Sequence, residues 1–338
     1  MDKKKQMNFN LNNFLLATTD ILDYRDCELN NTTKNHSKRV AYVALKIGEQ
    51  LKLEPKMMFS LCAYSLFHNY IDRDNCVVLN IFDDTGLLTK IVDFSHHIDQ
   101  TYNIDKNFIS TNSNGMYTQH MEDIFLEISK PMSFWLDLQC ENSIIQYIYS
   151  ALYDFTIQPS FEEVLTITSI FGNLYEDITP LLEKCEIMAD FYHFEHKDKM
   201  TFLISASMLN FGKLAIPTKL LNSESELTLA QLEEIKANVY YNQNALSSIY
   251  GFDDISKWAT KHHEKLNGEG YPNSLNTSEL SLKDRLMSCL NIYNALTSNK
   301  SYRKKYTSSE AIDIMNIMSS NNEIDLAIVN DINNQLRQ

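Results

Sequence analysis

One helix-pair pattern occurs twice in the sequence, 141 positions apart, and this repeat constrains the fold more than any other feature. In the first copy, residues 39–53 carry apolar side chains on one helical stripe. A second helical segment, residues 57–71, follows with a largely apolar surface around its histidine. When the sequence is shifted by 141 positions without a gap, the apolar residues of both segments stay at matching helical positions. The shift pairs His36 with Asp177, His68 with Leu209, and Asn69 with Asn210.

Helix is also the element that composition favours. The 338 residues include only 8 glycines and 6 prolines, and apolar residues recur at helical rather than alternate spacing. The sequence therefore predicts an all-α fold of tandem helical units. We expect a first unit at residues 1–130, a helical bridge at 131–176 and a second unit at 177–338, since no low-complexity linker separates the two copies.

Charge and cysteine usage narrow the classes of partner and compartment. A formal net charge of −14 argues against a general surface for long nucleic acids, although one local basic pocket would still accept a small anion. The six cysteines are scattered and form no CxxC pair, which is typical of reduced, buried thiols. The N-terminal residues lack the apolar run of a signal peptide, and no later segment approaches a membrane span. We expect a cytoplasmic protein.

Three motifs follow one another in the C-terminal part. They read NFGKLAIPTKLL from Asn210, HHEKLNGEGYP from His262 and ALTSNKSYR from Ala295. Together they resemble the HD-GYP family, a branch of the HD-domain metal-dependent phosphohydrolases that linearise and hydrolyse cyclic di-GMP. The resemblance covers about residues 177–318. The N-terminal block is similar to a shortened second HD copy without the HHE and GYP segments, so the resemblance implies tandem HD-like units, the second with a GYP-type extension.

The resemblance also implies a metal site, most of whose ligands this sequence has lost. Family members hold two or three iron or manganese ions, and only His262 and His263 keep their family identity as ligands. The other matching positions have changed: Asp177, Leu209, Asn210, Asn238 and Asn291. An amide supplies no bridging charge and leucine supplies no ligand, so we expect no competent two-metal centre and no cofactor. Any iron or manganese would be substoichiometric, held by His262, His263 and Asp177.

Positions that resemble the family's substrate contacts are better preserved. Lys213 resembles the lysine that reaches a phosphate, Tyr271 and Pro272 resemble the GYP loop, and Arg303 resembles a nearby basic residue. We predict a pocket that binds an anionic nucleotide through its two basic side chains. Its polar walls would be Asn210, Asn238 and Asn291. In an active enzyme the catalytic residues would be Lys213 and Glu264. A solvated Lys213 and a packing role for the HHE segment remain alternative interpretations.

The N-terminal unit offers a second histidine group. His36, His68 and the pair His96 and His97 would form a zinc-like site if they converge. No carboxylate is firmly placed among them in the sequence. Histidines satisfied by ordinary hydrogen bonds are therefore the favoured interpretation.

Three functions are compatible with these observations. The first, which we predict, is a non-catalytic regulatory protein of bacterial signalling that acts through a protein partner or a cyclic dinucleotide. The second is a cyclic di-GMP phosphodiesterase with an altered metal site. The third is a structural interaction platform. The sequence leaves open the partner, the nucleotide and whether the chain forms a homodimer.

Overall fold

The computed structural model describes residues 6–70, 86–102, 118–152, 159–223, 225–299 and 304–336. These residues form sixteen α-helices, with two isolated β-bridges and no strand among them. The predicted all-α fold is confirmed. None of the described helices combines the length and apolar character that a bilayer crossing requires.

The chain divides into two compact units. Unit N comprises Asn10–Ile157, and unit C comprises Met1–Phe9 together with Gln158–Gln338. The predicted bridge at residues 131–176 spans the division between these units, with its first part in unit N and its last part in unit C. Burial explains the division: Phe134 packs on the ring of Tyr42 in unit N, and Phe171 packs on Phe211 in unit C.

Unit N is built around one buried helix. Its helices are α1 (Leu11–Leu29), α2 (His36–Gln50), α3 (Pro55–Phe67), α4 (Gly86–Tyr102), α5 (Gln119–Ile128), α6 (Met132–Asp137) and α7 (Glu141–Ala151). The apolar stripe predicted for α2 is buried: Val40, Ala44 and Ile47 are each 0% exposed. Because α2 packs against both α3 and α4, polar side chains on these three helices are brought to a common point.

Unit C has a similar buried centre. Its helices are α8 (Phe161–Gly172), α9 (Thr179–Phe191), α10 (His196–Ser207), α11 (Thr218–Leu221), α12 (Leu229–Ser247), α13 (Asp253–Thr260), α14 (Leu282–Thr297), α15 (Ser308–Ser320) and α16 (Leu326–Gln335). Helix α10 packs against α8, α9 and α13. A 3-10 helix, Phe211–Ala215, follows α10 and lies against α12.

Local sequence fixes where several of these helices begin. A serine or threonine accepts a hydrogen bond from the third residue of the helix, whose own side chain returns to the cap. Such reciprocal caps open α8, α12, α14 and α15, at Ser160, Thr228, Ser281 and Thr307. Each satisfies two backbone N–H groups that a helix start leaves without partners.

Two glycines allow close backbone approaches around the end of α10 in unit C. A Cβ atom on Gly172, the last residue of α8, would lie 2.1 Å from the carbonyl oxygen of Ser207 at the end of α10. A Cβ atom on Gly212 would lie 2.1 Å from the carbonyl oxygen of Asn238 on α12. The turn after α10 is therefore pressed directly onto α12.

Replacing Gly172 by alanine should lower the free energy of unfolding of unit C by about 1–3 kcal/mol, because backbone atoms must move apart to admit the methyl group. Gly86→Ala is the matched control, since nothing lies within 4 Å of the added atom. Urea unfolding of both variants measures the difference. Equal stability of the two variants would contradict this packing.

Candidate functional site

Three histidines of unit N meet at the junction of three helices. His36 begins α2, His68 directly follows α3, and His96 lies on α4. Nε2 of His36 lies 3.3 Å from Nε2 of His68 and 3.0 Å from Nδ1 of His96, and the His68 and His96 atoms are 2.8 Å apart. The convergence that the sequence left open is thus found for three of the four histidines. His97 is not part of this group.

Groups behind the histidines hold two of the rings in place. Nδ1 of His36 donates to Asp99, 2.6 Å away, and Nδ1 of His68 donates to the carbonyl oxygen of Ser65 at 2.7 Å. Arg39 donates to both oxygens of Asp99. Although burial raises the pKa of the Asp99 carboxyl, hydrogen bonds from His36 and Arg39 hold it below its ordinary value. Asp99 is therefore an ionised acceptor.

Two members of the group, His68 and His96, are neutral. Burial lowers the pKa of His68 to about 4, and burial followed by the neighbouring histidines lowers that of His96 to about 4. Asn69, next to His68, has a buried Nδ2 atom without a hydrogen-bond partner. Among the residues that the structure describes, His36, His68 and His96 form the one group of three or more potential metal ligands.

The histidine pair of unit C follows α13. Nδ1 of buried His262 donates to the carbonyl oxygen of Ala259 at 2.9 Å, which leaves its buried Nε2 atom without a partner. The ring of His263 stacks on Tyr271, with centroids 4.7 Å apart. Burial lowers the pKa of both histidines, to about 4 for His263, and the charge of nearby Lys213 lowers both further. The pair is therefore neutral.

The altered ligand positions 209 and 210 have local roles in unit C. Leu209 is buried in the core. Nδ2 of Asn210 donates to Glu176 at 2.6 Å. Asn242 of α12, which the sequence reasoning did not single out, donates to the carbonyl oxygens of Met208 and Leu209 and fixes this turn. An amide facing main-chain carbonyls has no distinctive sequence signal.

Asp177 does not face the pocket that the sequence alignment implied. It is exposed, and its side chain accepts from the backbone N–H of Thr179, where α9 begins. The carboxylate that contacts Asn210 belongs to Glu176, one residue earlier. The ungapped repeat places position 177 at a helix start, like His36, but α9 starts two residues later with Pro180 in its first turn.

Glu264 fixes the position of the loop that follows the GYP motif. Its buried carboxylate accepts backbone N–H groups from Asn273 at 2.7 Å and from Leu275 at 2.9 Å, so each oxygen holds the loop after the GYP motif. Gly270 lies against this segment, where a Cβ atom would meet the Cα atom of Glu264 at 2.5 Å. The sequence offered Glu264 as a catalytic group in an active enzyme, whereas its contacts are those of a structural anchor.

The predicted binding residues are only partly brought together. Lys213 lies in the 3-10 helix, near the histidine pair, with its Nζ atom 5.2 Å from the ring centroid of Tyr175. Half-buried Pro272 follows Tyr271 in the GYP loop. Asn291 is half-buried on α14. Arg303 lies outside the described residues.

The residues of unit C do not fit a two-metal centre. Leu209 has no donor atom, and both oxygens of Glu264 are used by the backbone. What remains is a set of buried neutral acceptors without a donor: Nε2 of His262 and the side-chain oxygens of Asn210 and Asn238. Neutral amide oxygens lack the charge that bridges two dications, and they suit a hydrogen-bond donor instead.

Comparison with known proteins agrees with the sequence motifs. Residues 162–328 match the family model of the HD domain. The chain is 30% identical over 118 residues to the 3′3′-cGAMP-specific phosphodiesterase 3 of Vibrio cholerae, and 29% identical over 107 residues to a cyclic di-GMP phosphodiesterase of Pseudomonas aeruginosa. These matches cover 35% and 30% of this chain but only 26% and 25% of the relatives.

A solved structure shares the fold over almost the whole chain. It is the crystal structure of a cyclic GMP-AMP specific phosphodiesterase of V. cholerae, which matches with a TM-score of 0.54 at 14% identity. The match covers 96% of this chain and 97% of that one. At this identity the likeness shows the fold alone.

Replacing Glu264 by glutamine should lower the free energy of unfolding by about 2–3 kcal/mol, because an amide nitrogen would then face a backbone N–H group. Glu269→Gln, at an exposed glutamate of the same loop, is the control and should change stability by less than about 0.5 kcal/mol. Chemical denaturation measures both. Unchanged stability of Glu264→Gln would contradict this role of Glu264 in holding the loop.

Proposed function

This chain belongs to the HD-GYP branch of the HD-domain family, and we propose that its C-terminal pocket recognises a cyclic dinucleotide without hydrolysing it. The observation that carries this proposal is the mixed set of side chains at the positions that match the family's site. The ligand positions are leucine and neutral amides, whereas the lysine of the phosphate-binding motif still lies beside the two neutral histidines. We therefore expect this site to bind a cyclic dinucleotide without metal-dependent cleavage.

Lys213 is the group that would attract the phosphates. Its charge acts on His262 and His263, and this supports a position beside the histidine pair. Nε2 of His262 and the oxygens of Asn210 and Asn238 would accept hydrogen bonds from donor groups of a base or ribose. Arg303 is the second basic residue that the sequence predicts as a phosphate contact.

A phosphodiesterase is the second candidate function. Relatives from V. cholerae and P. aeruginosa carry the names of cyclic dinucleotide phosphodiesterases, and this supports hydrolysis by a metal site of altered composition. Turnover assays with cyclic di-GMP and 3′3′-cGAMP, with added manganese or iron, separate the two candidates. Hydrolysis that His262→Ala abolishes would contradict the non-catalytic proposal. A protein partner, a homodimer and action in the cytoplasm remain part of the prediction.

Removing the pocket lysine should weaken nucleotide binding. A charge-assisted contact in a partly desolvated pocket contributes about 1.5–3 kcal/mol, so Lys213→Ala should raise the Kd for cyclic di-GMP at least about tenfold. Lys257→Ala removes the same charge from an exposed position of α13 and should leave the Kd unchanged. Calorimetric titration of the full chain in chelator measures all three proteins. No wild-type binding at high micromolar nucleotide would favour the interaction platform.

Restoring a carboxylate at position 210 should also weaken metal-free binding. The Asn210 amide nitrogen lies 2.6 Å from an oxygen of Glu176, so Asn210→Asp places two carboxylates together beside the phosphate-binding lysine. The same titration in chelator tests this variant, and Asn291→Asp provides a second. Tighter binding by either variant without metal would contradict the neutral-pocket explanation.

A further inference from the structure

The histidine group of unit N brings three ring nitrogens from three helical segments to one point. Asp99 is an ionised acceptor, so it fixes the hydrogen of His36 on Nδ1. The carbonyl oxygen of Ser65 fixes the hydrogen of His68 on Nδ1 in the same way. The Nε2 atoms of both rings therefore face the junction, where they lie 3.3 Å apart.

A third ring nitrogen completes the junction. Nδ1 of His96 lies 3.0 Å from Nε2 of His36 and 2.8 Å from Nε2 of His68. Three ring nitrogens from three helical segments therefore lie within 3.3 Å of one another, which is the arrangement of ligands around a single ion.

The three rings are arranged as ligands of one ion. They are tilted against one another by 60°, 82° and 70°, so their nitrogen edges converge and their faces do not stack. In a tetrahedral zinc site, bonds of about 2.0–2.1 Å place neighbouring ligand nitrogens about 3.3 Å apart. The widest separation here already has this value, and the other two need to open by a few tenths of an ångström.

The surroundings supply the support that metal-bound histidines require. The Asp99–His36 pair is a carboxylate that orients a ligating imidazole and raises its basicity. Arg39 neutralises Asp99, and its guanidinium is tied in turn to Thr33 and the carbonyl oxygen of Lys34. Asp99 therefore orients His36 and contacts Arg39, and the three candidate ligands are all imidazoles.

We propose that unit N binds one zinc-class transition metal ion through Nε2 of His36, Nε2 of His68 and Nδ1 of His96. Three imidazoles without a carboxylate ligand suit zinc and its neighbours, and they do not suit magnesium or calcium, which prefer oxygen. Three protein ligands leave a fourth position for water or another small ligand. The site lies outside residues 162–328 and does not depend on the function proposed for unit C.

Metal analysis of the full chain tests the site. Protein stripped with chelator, loaded with Zn²⁺ and desalted should retain about one zinc per chain. His68→Gln and His96→Gln should lower retention at least about tenfold, since each removes one of three ligands. Asp99→Asn should weaken zinc affinity by about 10–100-fold through the ring that it orients.

Two neighbouring histidines provide controls. His97→Gln changes the next residue of α4, and His262→Gln changes the pocket of unit C; both should retain zinc like the wild type. Unfolding in chelator shows whether each variant keeps its fold, and a zinc-induced rise in Tm confined to wild type and controls supports the site. Cobalt loading of the wild type should give the intense visible absorption of a tetrahedral ion. Absence of retained metal and of this spectrum, or zinc lost only in His262→Gln, would overturn the proposal.

Discussion

A polar atom buried at the end of a helix needs a partner, and this constraint distinguishes the two units of the chain. In unit N, each of two converging imidazoles is tied on one side, to Asp99 or to the main chain, so that its other nitrogen is aimed inward. In unit C, amide side chains make the hydrogen bonds at the turn after α10. Asn242 donates to two backbone carbonyl oxygens of this turn, and Asn210 donates to the carboxylate of Glu176. The first arrangement presents ligands for a cation, and the second presents neutral acceptors.

The two units thus present different side chains at these turns. Unit C keeps the turns and the lysine of the HD-GYP pattern, but Glu264, which borders the histidines in sequence, is used to hold the GYP loop. Unit N lacks that loop and gathers three histidines instead. Fold alone therefore does not assign a reaction to either unit; the side chains at each junction do.

Much of the fold was predictable from the sequence. Helical periodicity predicted the all-α fold, and the sequence identified His36, His68 and His96 as candidate members of one site. The position of Asp177 was not predictable from the repeat. Helix α9, which has Pro180 in its first turn, starts two residues later than the repeat implies. Asp99 was also missed, although it lies one helical turn after His96, a spacing that puts both on one face of α4. The partners of Glu264 depend on a loop whose course only the folded chain defines.

The location of bound metal tests this division of roles most directly. Crystals of the full chain grown with zinc, measured on both sides of the zinc absorption edge, show where the ion lies. We expect one anomalous peak among His36, His68 and His96, and none beside His262 and His263. Two peaks a few ångströms apart at the histidine pair of unit C, with none in unit N, would contradict both the neutral pocket and the three-histidine site.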